Sequence, residues 1–203
     1  MTFEIQGPWL QIQLEPGEEC FHRDGAVKQW TPTAEIESRL NLLSEATGVR
    51  LARSLARSGP ATLLAAGFGG GTVLAVESGE PLRLKPDLLL AVSAEAGLKE
   101  VVPPVSEGIF RRWIEVGAST LILAGAGGLF LQPLGLAETR LISSEALAAC
   151  SSSLSIRQIK RPMRRSFSRD DRRRPGVLEL TGPGLAVLQT DWLRGREPKS
   201  TVG

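Results

Sequence analysis

Short apolar runs separated by glycine-rich turns dominate the hydrophobic pattern of this chain. Val177-Leu-Glu-Leu-Thr-Gly-Pro-Gly-Leu-Ala-Val-Leu-Gln-Thr190 sets two such runs around a Gly-Pro-Gly turn. Apolar alternation, with glycines that accept positive φ and a proline that presets its own, predicts a β-hairpin there. The pattern occurs twice more, as Thr120-Leu-Ile-Leu-Ala-Gly-Ala-Gly-Gly-Leu-Phe-Leu-Gln-Pro133 and as Thr62-Leu-Leu-Ala-Ala-Gly-Phe-Gly-Gly-Gly-Thr-Val-Leu-Ala75. Ala75, Gln132 and Gln189 follow one another at intervals of 57 residues, the mark of a repeated architecture.

Each copy also has a front half. Gln11–Gly17, Leu82–Asp87 and Thr139–Ser144 read as short strands running into turns, followed by second strands at Glu19–His22, Leu88–Ser93 and Ala146–Cys150. Between the two halves lies a crossing segment. In the first copy a strand begins at Thr33, and Ser44–Arg57 reads as a short helix. Val49, Leu51 or Ala52, and Leu55 or Ala56 share one face of it, Arg50, Arg53 and Arg57 the other, and Gly59-Pro60 stops it. Gly108–Gly117 takes that place in the second copy and a basic segment takes it in the third.

About a dozen short strands with frequent turn residues predict an all-β fold, not βαβ units. The expected form is a β-sandwich or closed barrel of three degenerate hairpin repeats, with one or two short helices in the crossings. Residues 1–190 form a single domain on this view, with repeats at about 3–78, 79–135 and 136–190. The polar tail 191–203 is expected to fray.

Composition narrows the class. At 42% hydrophobic and 23% charged over 203 residues the chain is globular, and with no Tyr its core must rest on Leu, Val, Ile and Ala. Cys20 and Cys150 have no second Cys or His at metal spacing, so both are read as free, buried thiols of a reducing compartment. No signal peptide opens the chain, and the run Leu121–Leu136 is too broken by glycine and proline to be a membrane helix. The expected location is cytoplasmic, without a transmembrane segment.

The net charge of +2 conceals an asymmetry. Residues 157–174 hold nine Lys/Arg against two Asp, a local +7, which leaves −5 over the remainder. Arg161, Arg164, Arg165, Arg172, Arg173 and Arg174 offer bidentate phosphate contacts, and Phe167 can stack on a base. The same residues also suit a solvated loop, or a contact with the acidic remainder of a neighbouring subunit.

Other candidates carry less chemistry. His22 is the single histidine, too few for a triad or a cupin-like metal site, and is read as structural or surface. Glu15, Glu18 and Glu19 read as solvated turn charges. Gly67–Gly71 resembles a phosphate loop only in glycine count, since a strand-like segment follows it. Trp9, Trp30, Trp113 and Trp192 are expected in the core or at its rim.

The ending Leu180–Thr190 and the opening Leu10-Gln-Ile-Gln-Leu-Glu-Pro-Gly-Glu-Glu19 resemble the signatures of bacterial relatives of the mitochondrial biogenesis (altered inheritance of mitochondria) family. That family is grouped with folds like the tryptophan RNA-binding attenuation protein. The resemblance covers most of Phe3–Thr190. It implies a repeat-built β-sandwich or double-stranded β-helix, frequent oligomers, no established catalysis and no cofactor. Its eukaryotic relatives are linked to organisation of the mitochondrial inner membrane.

Together these features point to a non-enzymatic, self-assembling interaction or scaffold protein of unknown molecular role, a homo-oligomer such as a trimer or larger ring. The alternative is an RNA- or polyanion-binding module using segment 157–174. A third reading, a cupin-like small-molecule or metal enzyme, requires a site the sequence does not display.

Overall fold

The computed structural model describes residues 1–40, 43, 49–67, 71–104, 112–159 and 176–190. β-strand is the dominant regular structure of the described residues. The amino-terminal strands are β1 (Thr2–Gln6), β2 (Trp9–Leu14), β3 (Glu19–Arg23), β4 (Val27–Trp30), β5 (Ala34–Leu40), β6 (Leu51–Ala56) and β7 (Ala61–Ala66). Next come β8 (Thr72–Ser78), β9 (Leu82–Leu84), β10 (Leu89–Ser93), β11 (Leu98–Val101), β12 (Trp113–Val116) and β13 (Ser119–Gly125). The last are β14 (Leu129–Leu134), β15 (Thr139–Ser143), β16 (Leu147–Ser151), β17 (Ser155–Ile159), β18 (Val177–Thr181) and β19 (Gly184–Gln189).

All pairings are antiparallel, in four sheets. Sheet I runs β1-β2-β7-β4 and sheet II runs β5-β6-β3-β10-β13-β8. Sheet III runs β11-β12-β9-β16-β19-β14 and sheet IV runs β15-β18-β17. This order divides into three sets of six consecutive strands, β2–β7, β8–β13 and β14–β19. In every set the first, sixth and third strands lie side by side in one sheet, and the fourth, fifth and second in the next. Successive sets join where the second strand of one pairs with the third strand of the following, β3 with β10 and β9 with β16. The third strand carries the same irregularity in each set, at Val27/Gln29, Leu89/Ala91 and Leu147/Ala149. A recurring bulge of this kind is a built feature of the fold.

The all-β, sandwich-like class expected from the sequence is what the structure shows. The hairpins, however, lie elsewhere. β7 and β8, β13 and β14, and β18 and β19 do not pair, so each glycine-rich turn carries the chain from one sheet to the next. The hairpins within the sets are β5–β6, β11–β12 and β17–β18, which bracket the segments read as crossings. Ala75 and Gln132 fall in the first strands of the second and third sets, but Gln189 falls in a sixth strand, the neighbour of a first strand.

The helix read over Ser44–Arg57 is corrected over its described part, where Leu51–Ala56 forms β6. Ala52, Ser54 and Ala56 point to one face of the sheet and are fully buried, while Arg53 on the other face reaches Glu37 at 2.8 Å. The arginine spacing mimics a helical face, and cross-strand packing overrides the helix preference of alanine. Among the described residues, helix is confined to single turns at Pro86–Leu88, Ala94–Ala96 and Ser144–Ala146.

Three cores fill the spaces between the sheets. Leu10, Ile12, Leu63, Cys20, Leu90 and Ile122 pack between sheets I and II. Leu84, Leu89, Val92, Ile114, Leu121 and Val187 pack between II and III, and Trp113, Leu147, Cys150, Leu178 and Leu180 between III and IV. Central strands of the two middle sheets, such as β10 and β13, therefore bury both faces, which is why Leu88–Val92 and Leu121–Leu123 read as unbroken apolar runs. Cys20 and Cys150 are buried in different cores as free thiols, and burial pushes both up to about 12.

The glycines at the sheet crossings answer to close backbone approach. A Cβ on Gly71 would sit 1.6 Å from the Gly125 carbonyl oxygen, whereas one on Gly79 meets nothing within 4 Å. Gly71→Ala is expected to cost more than about 2 kcal/mol, and Gly79→Ala to stay within about 0.5 kcal/mol. Urea unfolding of both variants checks the contrast.

Candidate functional site

The core of the first set is not closed at its β4 end. A cleft of about 290 Å³ opens between β4 of sheet I and β5 of sheet II, lined by His22, Asp24, Gly25, Val27, Trp30, Ile36 and Ser38. In the later sets the third strand lies between two neighbours, β10 between β3 and β13, β16 between β9 and β19. β4 has β7 alone. Its Trp30, on the cleft side, is therefore 51% exposed.

His22 forms the floor of the cleft at 1% exposure. Its Nε2 lies 2.9 Å from Ser54 Oγ and its Nδ1 3.1 Å from the Arg23 carbonyl oxygen. These partners assign a neutral ring, with Nδ1–H donating to the carbonyl and Nε2 accepting from the serine hydroxyl. Burial holds its pKa below the ordinary histidine range, partly opposed by the Arg23 hydrogen bond and the charge of Asp24. Both ring nitrogens are thus engaged in structure. By cross-strand register, the second set has Leu84 at the place of His22 and Val116 at that of Ser54.

Charged groups mark the outer faces of the sets. Glu115 accepts from Arg83 Nε at 2.8 Å and pairs with Lys99 Nζ at 2.7 Å, and the hydrogen bond from Arg83 leads in holding its carboxyl below the usual range. Arg53–Glu37 and Arg157–Glu179, each at 2.8 Å, occupy the matching fourth- and fifth-strand positions of the other sets. Glu80 grips the β16–β17 turn, accepting from the Ser153 hydroxyl at 2.6 Å and backbone at 2.9 Å and from Ser152 Oγ at 3.1 Å. The Ser153 hydroxyl is the main cause of its lowered pKa.

Arg161, Arg164, Arg165, Phe167, Arg172, Arg173 and Arg174 lie outside the described residues, in the connection between β17 and β18. Trp113 is buried in the third core, and Trp9 and Trp30 stand at the surface; Trp192 is outside the described residues. Glu18 caps the first turn by accepting from the Glu15 backbone at 2.8 Å and pairs with the amino terminus. Gly71 leads directly into β8, so no helix amino terminus completes a phosphate loop there. Among the described residues, no three His, Cys, Asp or Glu side chains converge as a metal site. No described helix is long and apolar enough to cross a membrane.

What the sequence did not reveal is that, among the described strands, β4 and β15 lack the neighbour that their counterparts in the other sets have. β4 closes one end of sheet I, and β15 one end of sheet IV. Leu141 on β15 is 63% exposed. The one sequence signal was their composition, Val-Lys-Gln-Trp and Thr-Arg-Leu-Ile-Ser, each with a large apolar side chain in a short polar strand.

A family model described as mitochondrial biogenesis AIM24 matches residues 3–191. Among solved structures, a Streptococcus pyogenes protein determined by X-ray crystallography superposes with a TM-score of 0.71 at 21% identity, over 94% of this chain and 92% of that one. At that identity the likeness concerns the fold. No curated protein matches the sequence.

The fold holds His22 neutral, while an unfolded chain takes up a proton below about pH 6.5. This residue therefore leaves stability unchanged above that pH and lowers it as pH falls through it. His22→Leu/Ser54→Val, which copies Leu84 and Val116, should lose less stability between pH 7 and pH 5 than the parent. Thermal unfolding at the two pH values decides, and equal losses would contradict the assignment.

Proposed function

The chain belongs to the mitochondrial biogenesis AIM24 family, and we propose that this member acts without catalysis, as a scaffold whose copies assemble head to tail. The observation that carries the proposal is the complementarity of its two ends. Every second strand except β15 pairs with the third strand of the next set, and every third strand except β4 pairs with the second strand of the set before. β15 of one copy and β4 of another are the missing partners of one contact. Joining them would extend sheet IV of one molecule into sheet I of the next. Such a heterologous contact closes into a ring or continues as a filament, according to the rotation per step.

Backbone hydrogen bonds along exposed edges supply the attraction in this mode of association. The exposed Trp30 and Leu141 supply apolar area, and Lys28 and Arg140 keep isolated edges soluble. The basic segment supports a second function, polyanion or RNA binding. It connects the fourth and fifth strands of its set, and the corresponding connections of the other sets also carry arginine, at Arg50 and at Arg111 and Arg112.

Light scattering at low and high salt, with and without short random RNA, separates the two functions. A discrete oligomer unchanged by RNA, reduced to monomer by Leu141→Glu, is the expected result for a scaffold. A mass increase with RNA that salt reverses, and that Arg164→Ala/Arg165→Ala abolishes, would put polyanion binding first. A monomer at every concentration would refute self-assembly.

A further inference from the structure

Building on the self-assembly proposal, we infer that β4 of one copy docks on β15 of the next in a single register, Trp30 opposite Leu141, as a releasable version of the internal junctions.

The register follows from the two junctions inside the chain. β3 meets β10 with His22 opposite Ala91 and Phe21 opposite Val92. β9 meets β16 with Leu84 opposite Ala149 and Arg83 opposite Cys150. Cross-strand partners on the fifth strands make Phe21, Arg83 and Leu141 equivalent: they face Arg53, Glu115 and Glu179. The recurring bulge makes Trp30 equivalent to Val92 and Cys150, the residues just beyond Gln29, Ala91 and Ala149. Pairing β4 with β15 in this way sets Trp30 against Leu141 and Gln29 against Ile142.

The faces agree as well. Phe21 lies with Val92 at the core between sheets II and III. Trp30 lines the cleft and Leu141 stands on the outer face of sheet IV, so the join lays Leu141 over the open end of the first core.

A side-chain clamp present at both internal junctions is missing from this one. Arg23 donates to the Asp87 carbonyl at 2.7 Å, and Lys85 donates to the Glu145 carbonyl at 2.9 Å. In each case a basic residue that follows the paired second-strand position reaches the carbonyl two residues before the next third strand. In the third set that basic residue is replaced by Ser143, which is too short. The acceptor carbonyl of the first set, on Gly25, is already taken by Lys28 Nζ at 2.6 Å. The junction between copies therefore keeps the strand pairing and loses the clamp from both sides.

Disulfide trapping tests the register. Directly opposite residues of an antiparallel pair have Cα atoms about 4.5–5.5 Å apart, within reach of a disulfide. A Trp30→Cys protein mixed with a Leu141→Cys protein should give a cross-linked heterodimer on mild oxidation. Each variant alone should give none, and neither should Gln29→Cys mixed with Leu141→Cys, whose side chains leave opposite faces. Ser143→Arg/Lys28→Ala, which rebuilds the internal clamp, should tighten self-association by at least about tenfold. Cross-linking of the Gln29 pair as efficient as that of the Trp30 pair would overturn the register. An unchanged association constant in the Ser143→Arg/Lys28→Ala protein would overturn the clamp. A parent protein that assembles while neither cross-link forms would overturn the choice of edges. A parent that never assembles would instead remove the self-assembly proposal beneath it.

Discussion

Backbone pairing between the second strand of one set and the third strand of the next is the constraint on which the rest of the molecule depends. A sheet edge presents a row of N–H and C=O groups that must be paired, covered or made unattractive. Here β3–β10 and β9–β16 solve the problem twice by fusing three-stranded sheets into six-stranded ones. Fusion also fixes how the sets sit on one another, because each set must contribute to two successive sheets. It then dictates composition. The third strands β10 and β16 of the shared sheets are buried on both faces and must be apolar at odd and even positions alike, and Leu88–Val92 and Leu147–Cys150 satisfy this without an aromatic side chain. Trp30 and Phe130 stand at unfused edges, whereas Phe21 lies at the β3–β10 junction and Trp113 is buried in the third core.

The crossings between sheets follow from the same arrangement. A chain leaving one buried sheet for the next has little room to turn, and backbone passes close to backbone. Gly71 against the Gly125 carbonyl and Gly117 against the Ala96 carbonyl are such approaches, each nearer than a Cβ would permit. In the first set, by contrast, two core positions are polar, His22 and Ser54, where the second set has Leu84 and Val116. The hydrogen bond between them satisfies both groups, so burial costs less than two orphaned polar atoms would. This set is also the one whose third strand lacks a neighbour, and its core is correspondingly the least closed.

The all-β class and the strand positions were legible in the sequence because alternation and glycine spacing report directly on the pleat and its turns. Connectivity was not. Gly182-Pro183-Gly184 between two apolar runs has the composition of a hairpin turn, yet a turn between sheets needs the same conformational freedom, and the residues cannot tell which strand is the partner. The spacing from Gln132 to Gln189 equated a first strand with a sixth strand for a related reason: the two lie side by side and obey the same pattern. Arg50, Arg53 and Arg57 mimicked a helical stripe, although Arg53 is held by Glu37 across a strand pair. Nor was the clamp visible, since Arg23 and Lys85 look like ordinary turn charges until register shows them to be one contact made twice. The basic segment stood out most in the sequence, yet it lies outside the described residues.

The open edges of this molecule differ in chemistry. The fourth strands of all three sets end their sheets, and all three are charged: Glu35 and Glu37 on β5, Lys99 and Glu100 on β11, and Arg157 on β17. β1 covers the first strand of the first set, and Pro133 removes a donor from the open edge of β14. β8 carries Glu77 near its end. β4 and β15 each carry a large exposed apolar side chain, at positions that register makes opposite, while the open edge of β14 also exposes Phe130 and Leu131. Unselective edges would let copies add at any of several sheets and produce aggregates. In the proposed assembly, charge and proline at other edges would disfavour alternative joins, and the register would match Trp30 with Leu141. In the proposed assembly, omitting the basic clamp at that contact would leave the join between molecules weaker than the joins within one, so that copies would separate without unfolding.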